Sequence, residues 1–325
     1  MREQGRPDLG IGAFPFNPPS LHSCAALTLA QGPFQRNGQM RQNPSLGTIT
    51  MCAGVAFLCT NDAIAKELTA TYSPLQILFL RNIIALPFAM ALALWLGGRQ
   101  AIISHKPLAH FLRGGLWIIA ATMFFSSLRK LGLAEATALA FVAPILITAL
   151  SALVLKEHVG PRRWLAVLIG FCGVLIVVRP GSATFQPASL LALGTAFFYA
   201  LLMLGSRLVD ARESVWTMLL YLTGSSAVLL TFIVPFIWVP VRSEDWLLFV
   251  GVAIFGTAGI TMITQAFRMA PASIIAPLDY SALIWASLLG WVFWGDLPDL
   301  ATYLGAAIIA GSGLYIVLRE ARAQS

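Results

Sequence analysis

The sequence is short of charge. Of its 325 residues only 11% are Asp, Glu, Lys or Arg, less than half the share of roughly 25% found in soluble domains. With 58% of the chain hydrophobic, there is too little charge to clothe a soluble globule. That excludes an ordinary soluble enzyme, a nucleic-acid-binding domain and a disordered scaffold. Acidic groups are scarcer than basic ones, leaving a formal charge of +7. In a membrane protein such an excess marks basic loops on one side of the bilayer, so no nucleic-acid partner is expected. Cysteine is sparse too: Cys24, Cys52, Cys59 and Cys172 form no CxxC and read as small hydrophobes. His22, His105, His110 and His158 make no HExxH pair, and no GxSxG is present. Gly311-Ser312-Gly313 fits close helix packing better than a nucleophile elbow. Asp296-Leu-Pro-Asp299 lies in a turn without further ligands. No enzymatic activity, metal or organic cofactor is expected.

What the chain does have is apolar runs. About 30 Å of hydrocarbon takes roughly 17–25 helical residues, and ten segments of that order follow one another. They lie near 47–65, 74–96, 108–128, 135–155, 163–179, 187–206, 216–238, 246–267, 273–294 and 300–318. Short connections rich in Gly and Pro separate them and leave no space for a soluble domain. Period-two alternation is absent, so helices rather than a barrel must satisfy the backbone. Residues 1–46 differ: six prolines among Gly, Asn and Gln disfavour any long helix. This segment is expected to be a loose cytoplasmic tail, and Met40, directly ahead of the first apolar run, reads as an alternative start.

Basic residues set the expected orientation. Lys66, Arg129, Lys130, Arg179 and Arg242 fall on one side and Arg81 and Arg113 within spans; all other Lys and Arg lie on the side of the termini. The bias places both termini in the cytoplasm. The chain also repeats. A shift of 139 residues aligns 122–157 with 261–296, matching Thr122 with Thr261, Arg129 with Arg268 and Glu157 with Asp296. One residue of insertion later, Gly173 matches Gly313 and Arg179 matches Arg319. Five spans per half is an odd number, so the halves, 47–181 and 187–319, run in opposite orientations. Inverted repeats with a binding site between them, near midplane, are a transporter architecture.

The motifs "NDAIAKELTATYSPLQILFLRNIIALP" (61–87), "LKEHVGPRRWLAVLIGFCGVLIVVRPG" (155–181) and "FWGDLPDLATYLGAAIIAGSGLYIV" (293–317) resemble those of the drug/metabolite transporter superfamily, EamA type. The resemblance covers roughly 47–319. Glu157 occupies the place of the family's acidic residue after the fourth span of a half, and Asp296 stands where the family more often has Glu. The opening Asn-Asp…Lys is most similar to the riboflavin and S-adenosylmethionine carriers. The resemblance implies a bacterial inner-membrane carrier.

Several side chains stand out against their apolar setting. Arg81 lies seven positions into its span, where a lone charge costs about 2.5–3.5 kcal/mol, with Asp62 at comparable depth and Lys66 one turn beyond it. Asp62 and Arg81 either staple two helices as a pair or serve as a gate or a contact for substrate charge. Asp279, after Pro277, either binds a cation or carries a proton, or it hydrogen-bonds exposed backbone. Tyr199 and Tyr280 lie deep enough to stack on a planar substrate, or they simply pack. Thr122, Ser126 and Arg129 share one helical face, and Thr261, Gln265 and Arg268 share the equivalent one. These stripes line a pathway or act as interhelical glue. Lys66, Pro144, Glu157, Pro277 and Asp296 read as gating or structural, with the two prolines bending spans four and nine.

The expected molecule is thus an all-α integral membrane protein of ten transmembrane helices in two inverted five-helix repeats. It moves a small organic metabolite by alternating access within the lipid bilayer. Protons or a counter-substrate as coupling partner, and a homodimer, stay open. The alternative is a non-transporting membrane protein, either an embedded enzyme or a sensory or structural subunit. It would call for a soluble domain or a partner-binding helix, and neither is found in the sequence.

Overall fold

A computed structural model describes residues 44–154, 160–182, 185–205 and 213–324. The tail with Met40, and Glu157, lie outside the described residues. Every regular element among the described residues is helical. In chain order these are α1 (Pro44–Leu68), α2 (Pro74–Gly97), α3 (Pro107–Leu128), α4 (Leu133–Ala140), α5 (Ala143–Val154) and α6 (Pro161–Val178). The second half supplies α7 (Ala188–Gly205), α8 (Val215–Thr231), α9 (Trp246–Met269), α10 (Ala272–Ile275), α11 (Ala282–Trp294) and α12 (Leu300–Gln324).

The sequence punctuates these helices by ordinary rules. Pro74, Pro107 and Pro161 open α2, α3 and α6, where the missing N–H has no intrahelical partner to lose. Ser73 and Ser214 cap α2 and α8 by accepting the backbone N–H of Gln76 and Thr217. Gly295, at φ 68°, ends α11 in a conformation that side chains avoid.

Among the described residues nine segments of 18–27 residues are long and apolar enough to cross a membrane, and α8, apolar and 17 residues long, makes the tenth. The seventh crossing, expected to reach 238, stops at Thr231 and continues as a 3-10 turn over Val234–Ile237. Pro235 accounts for that, because it cannot donate to the helical ladder. Ten crossings put Pro44 and Gln324 at one surface, which we call the terminal face; the other is the far face.

The fourth and ninth crossings are broken rather than bent. In the fourth, α4 ends at Ala140 and α5 restarts at Ala143 with Pro144 in its first turn. In the ninth, α10 gives way to a 3-10 turn over Ala276–Ser281 that contains Pro277, and α11 follows. Broken backbone is tolerated at membrane depth only where protein or a cavity meets its freed polar groups. The 139-residue shift carries Phe141, at the first break, onto Tyr280, at the second. The two rings touch, with centroids 4.8 Å apart.

Elsewhere the halves are joined by close helix crossings. A Cβ on Gly54 of α1 would lie 3.0 Å from the Gly259 carbonyl oxygen of α9, and one on Gly259 would lie 2.9 Å from that of Gly54. Gly173 of α6 and Gly305 of α12 face each other in the same way, at 2.9 and 2.8 Å. Such approaches exclude any larger residue and let van der Waals packing hold the helices in lipid. The pairs α3 with α7, α2 with α8 and α3 with α8 add further contact between the halves. Buried apolar side chains of both halves, among them Leu139, Ile145, Val174, Phe249 and Ile309, form one core.

Candidate functional site

Asp279 lies in the 3-10 turn of the broken ninth crossing and is exposed. A carboxylate at membrane depth cannot face lipid cheaply, so its open side belongs to the bundle interior. Its neighbours agree. It interacts electrostatically with Cys59 of α1 and Tyr199 of α7, which places it between those helices. Cys59 donates to the carbonyl of Ala282, fastening α1 to the start of α11. Among the described residues no Lys or Arg pairs with Asp279. Tyr280, beside it, stacks on Phe141 and presses its hydroxyl against Gly313, where that oxygen is buried without a hydrogen-bond partner.

Asp62 and Arg81 come near each other but do not form an ion pair. Asn61 takes the Asp62 carboxylate instead, donating from Nδ2 at 2.9 Å. Arg81 turns over the ring of Trp117, 5.9 Å from its centroid, and rests on Gly256. A Cβ on Gly256 would come within 2.7 Å of both Arg81 Nη2 and Asn61 Oδ1, so this glycine is what lets α9 accommodate them. Asn61 Oδ1 and the Nδ2 of Asn82 are buried without partners. Charges and amides therefore gather on α1, α2 and the facing part of α9 with hydrogen-bonding capacity unused.

Among the described residues, no hydrogen bond joins Thr122, Ser126, Thr261 or Gln265 of the two polar stripes to another helix. Thr261 bonds back to the Thr257 carbonyl of its own helix at 2.7 Å, and Thr122 Oγ1 is buried without a partner. Ser126 and Gln265 are half-buried, and Arg268 is exposed. Arg129 alone reaches another element, donating to the backbone oxygen of Tyr72 at 2.9 Å.

At the far face, a cavity of about 600 Å³ is lined by Lys66, Arg129, Lys130, Glu135, Arg179, Asp296 and Asp299, among others. Two ion pairs cross between the halves there. Lys66 holds Asp296 at 3.1 Å and lies 4.6 Å from the centroid of Trp294. Arg179 pairs with Asp299. The hydrogen bond from Arg179, with those from Thr302, holds the Asp299 carboxyl well below the usual range, and Asp299 in turn raises Arg179. Both pairs are open to solvent, Asp296 and Asp299 being 49% and 53% exposed.

At the terminal face lies a buried cluster that the sequence did not reveal. Glu213, just ahead of α8, accepts from His110 Nε2 at 2.6 Å and from Ser104 Oγ and the His105 N–H at 2.8 Å each. The His110 and Glu213 side chains are 0% and 1% exposed. Burial pushes the Glu213 carboxyl up, but the hydrogen bonds from His110, Ser104 and His105 outweigh it and hold the group below its ordinary value. Tyr221 stacks on His110 and donates to the carbonyl of Ile102.

Comparison with known proteins gives consistent matches. The model of the EamA-like transporter family matches twice, over residues 45–179 and 186–319. A riboflavin transporter of Vibrio cholerae is 31% identical over 298 residues, covering 87% of this chain and 96% of that protein. An S-adenosylmethionine uptake transporter of Rickettsia prowazekii is 25% identical, covering 82% and 90%. A pseudopaline exporter of Pseudomonas aeruginosa is 27% identical, covering 80% and 92%. A solved crystal structure of 25% identity superposes with a TM-score of 0.54 over 86% of this chain and 99% of that one.

Proposed function

The chain belongs to the EamA-like transporter family and is a membrane transporter of small metabolites; from that premise we propose where and how it holds its cargo. The site lies near midplane between the two broken crossings. Asp279 meets a cationic centre of the cargo or a coupling proton, and Tyr199 and Tyr280 offer aromatic surface to a planar part. Asp62 and Arg81 form the wall toward the far face, while Thr122, Ser126, Thr261 and Gln265 line the two half-pathways. Lys66 and Asp296 gate the far face, and Glu157 serves the same purpose at the terminal face.

The carrier sits in a bacterial inner membrane with its terminal face in the cytoplasm. Residues 47–181 and 187–319 are the two alternating halves. It has no enzymatic activity. The cargo class is that of the riboflavin and S-adenosylmethionine carriers, and a proton or counter-substrate drives the cycle. The observation that carries this reading is Asp279, an exposed carboxylate beside a helix break at membrane depth, with which no Lys or Arg pairs among the described residues.

The test is thermal stabilisation of the purified protein by riboflavin, S-adenosylmethionine, nucleosides and amino acids, then uptake of the best ligand into proteoliposomes. Asp279→Asn is expected to fold normally and lose uptake. Normal uptake by Asp279→Asn would refute the assignment of the site.

A further inference from the structure

Arg113 lies six residues into α3 from the terminal face and is only 4% exposed. Its Nε and Nη1 are buried and have no hydrogen-bond partner. A guanidinium withdrawn from water with its donors unmet is an arrangement that folding alone does not favour. Glu213 interacts with Arg113 electrostatically but does not pair with it. Glu213 is already occupied by Ser104, His105 and His110. His110 stands one turn before Arg113 on the same face of α3, so the acid is held by the neighbour of the base and not by the base itself.

The side chain of Arg113 runs along α7. Its Cγ would lie 3.8 Å from a Cβ on Gly205, and Tyr199, one and a half turns earlier on that helix, interacts with it electrostatically. Tyr199 also interacts electrostatically with Asp279. Tyr199 is thus the group through which the surroundings of Arg113 and of Asp279 overlap.

We propose that Arg113 binds an anionic, carboxylate-type group of the cargo on the terminal side of Tyr199. The guanidinium offers planar donors that match a carboxylate. The inference rests on the carrier reading above and adds a requirement to it: the cargo bears a negative group as well as whatever Asp279 receives.

The experiment does not depend on knowing the cargo. The purified protein is melted in chloride and in acetate, propionate or succinate at constant ionic strength, and the melting temperature is followed against anion concentration. Wild type is expected to be stabilised by the carboxylates over chloride. Arg113→Met is expected to melt no lower than wild type in chloride and to lose the carboxylate response, weakening apparent affinity by about tenfold or more. Arg242→Met, at an arginine 63% exposed on the far face, is expected to keep it. No carboxylate response in wild type, or an unchanged one in Arg113→Met, overturns the proposal. If Arg113→Met does not fold, Arg113→Lys, which keeps the charge and loses the fork, decides it: a response at full wild-type strength refutes the site. A carboxylate response that depends on Arg113, together with failure of every uptake assay, would leave the anion site standing while removing the carrier assignment of Asp279.

Discussion

At the far face the phenol of Tyr72, two residues ahead of α2, donates to Asp245, just ahead of α9, at 2.6 Å. At the terminal face Glu213, two residues ahead of α8, accepts from His110 in the first turn of α3 at 2.6 Å. The second helix of each half is thus tied to the third helix of the other half, once at each surface. The acid, however, has changed sides. In the far tie it belongs to the segment before the third helix, and in the terminal tie to the segment before the second. Secondary contacts follow the same plan. Gln76 bonds both the N–H and the carbonyl of Val239, as Tyr221 bonds the Ser104 N–H and the Ile102 carbonyl. The inverted repeat conserves where the halves are fastened and leaves the chemistry free.

The comparison has a sharpest breaking point. Glu213→Ala strips three donors of their acceptor inside the protein and leaves Arg113 without a nearby counter-charge. It is expected to cost about 3–5 kcal/mol, read as a large fall in melting temperature. Tyr72→Phe removes two hydrogen bonds, one donated to Asp245 and one accepted from the Arg242 N–H, and should cost about 2 kcal/mol. Equal losses in the two variants would show that the ties are equivalent in strength as well as in place. Asp296→Asn, which breaks only the exposed pair with Lys66, should cost no more than about 1 kcal/mol, and a larger loss in chemical denaturation would mark that pair as structural.

The smallest effect is in pH, and it separates the ties by sign. Glu213 is held below its ordinary 4.5, so its contribution is complete above that value and fades as pH falls through the lowered one. Burial and the Asp245 carboxylate push Tyr72 above its ordinary 10.0, so its contribution is present below that value and lost as pH rises through the raised one. Hydrogen exchange should loosen 99–106 first in acid and 239–245 first in base. The reverse order would mean that other groups control both loops.

The crossings and the repeat were legible because both rest on long patterns: hydrophobic length, punctuation, and pairs such as Arg129 with Arg268. Depth was legible as well, since Asp62 and Arg81 do lie near each other. Rotation was not. Counting residues from a helix end fixes height along the axis but not which way a side chain turns, so the sequence could not show that Asn61 would take Asp62 or that Gly256 would receive Arg81. Pro144 and Pro277 pointed to bends; that they mark full breaks depends on the aromatic contact that fills the gap. The His110–Glu213 cluster was hidden for another reason. Its members are 103 residues apart, and each sits at a span edge, where solvation is the natural reading of a polar residue. Tyr72 and Asp245, set in the equivalent loops, were the available clue.

The contact of Phe141 with Tyr280 has a thermodynamic consequence. Were the two halves identical, the operation that exchanges them would convert the inward-open state into the outward-open one, and the two would be equal in free energy. Each site where equivalent residues differ lifts that degeneracy. On the axis of exchange itself the difference is one hydroxyl, and its surroundings differ too. Tyr280 presses its oxygen against Gly313, whereas the matching Gly173 is covered by the Gly305 carbonyl, Ile308 and Ile309. Such a difference of one oxygen atom, at a place where equivalent residues of the two halves touch, makes the two orientations unequal in free energy.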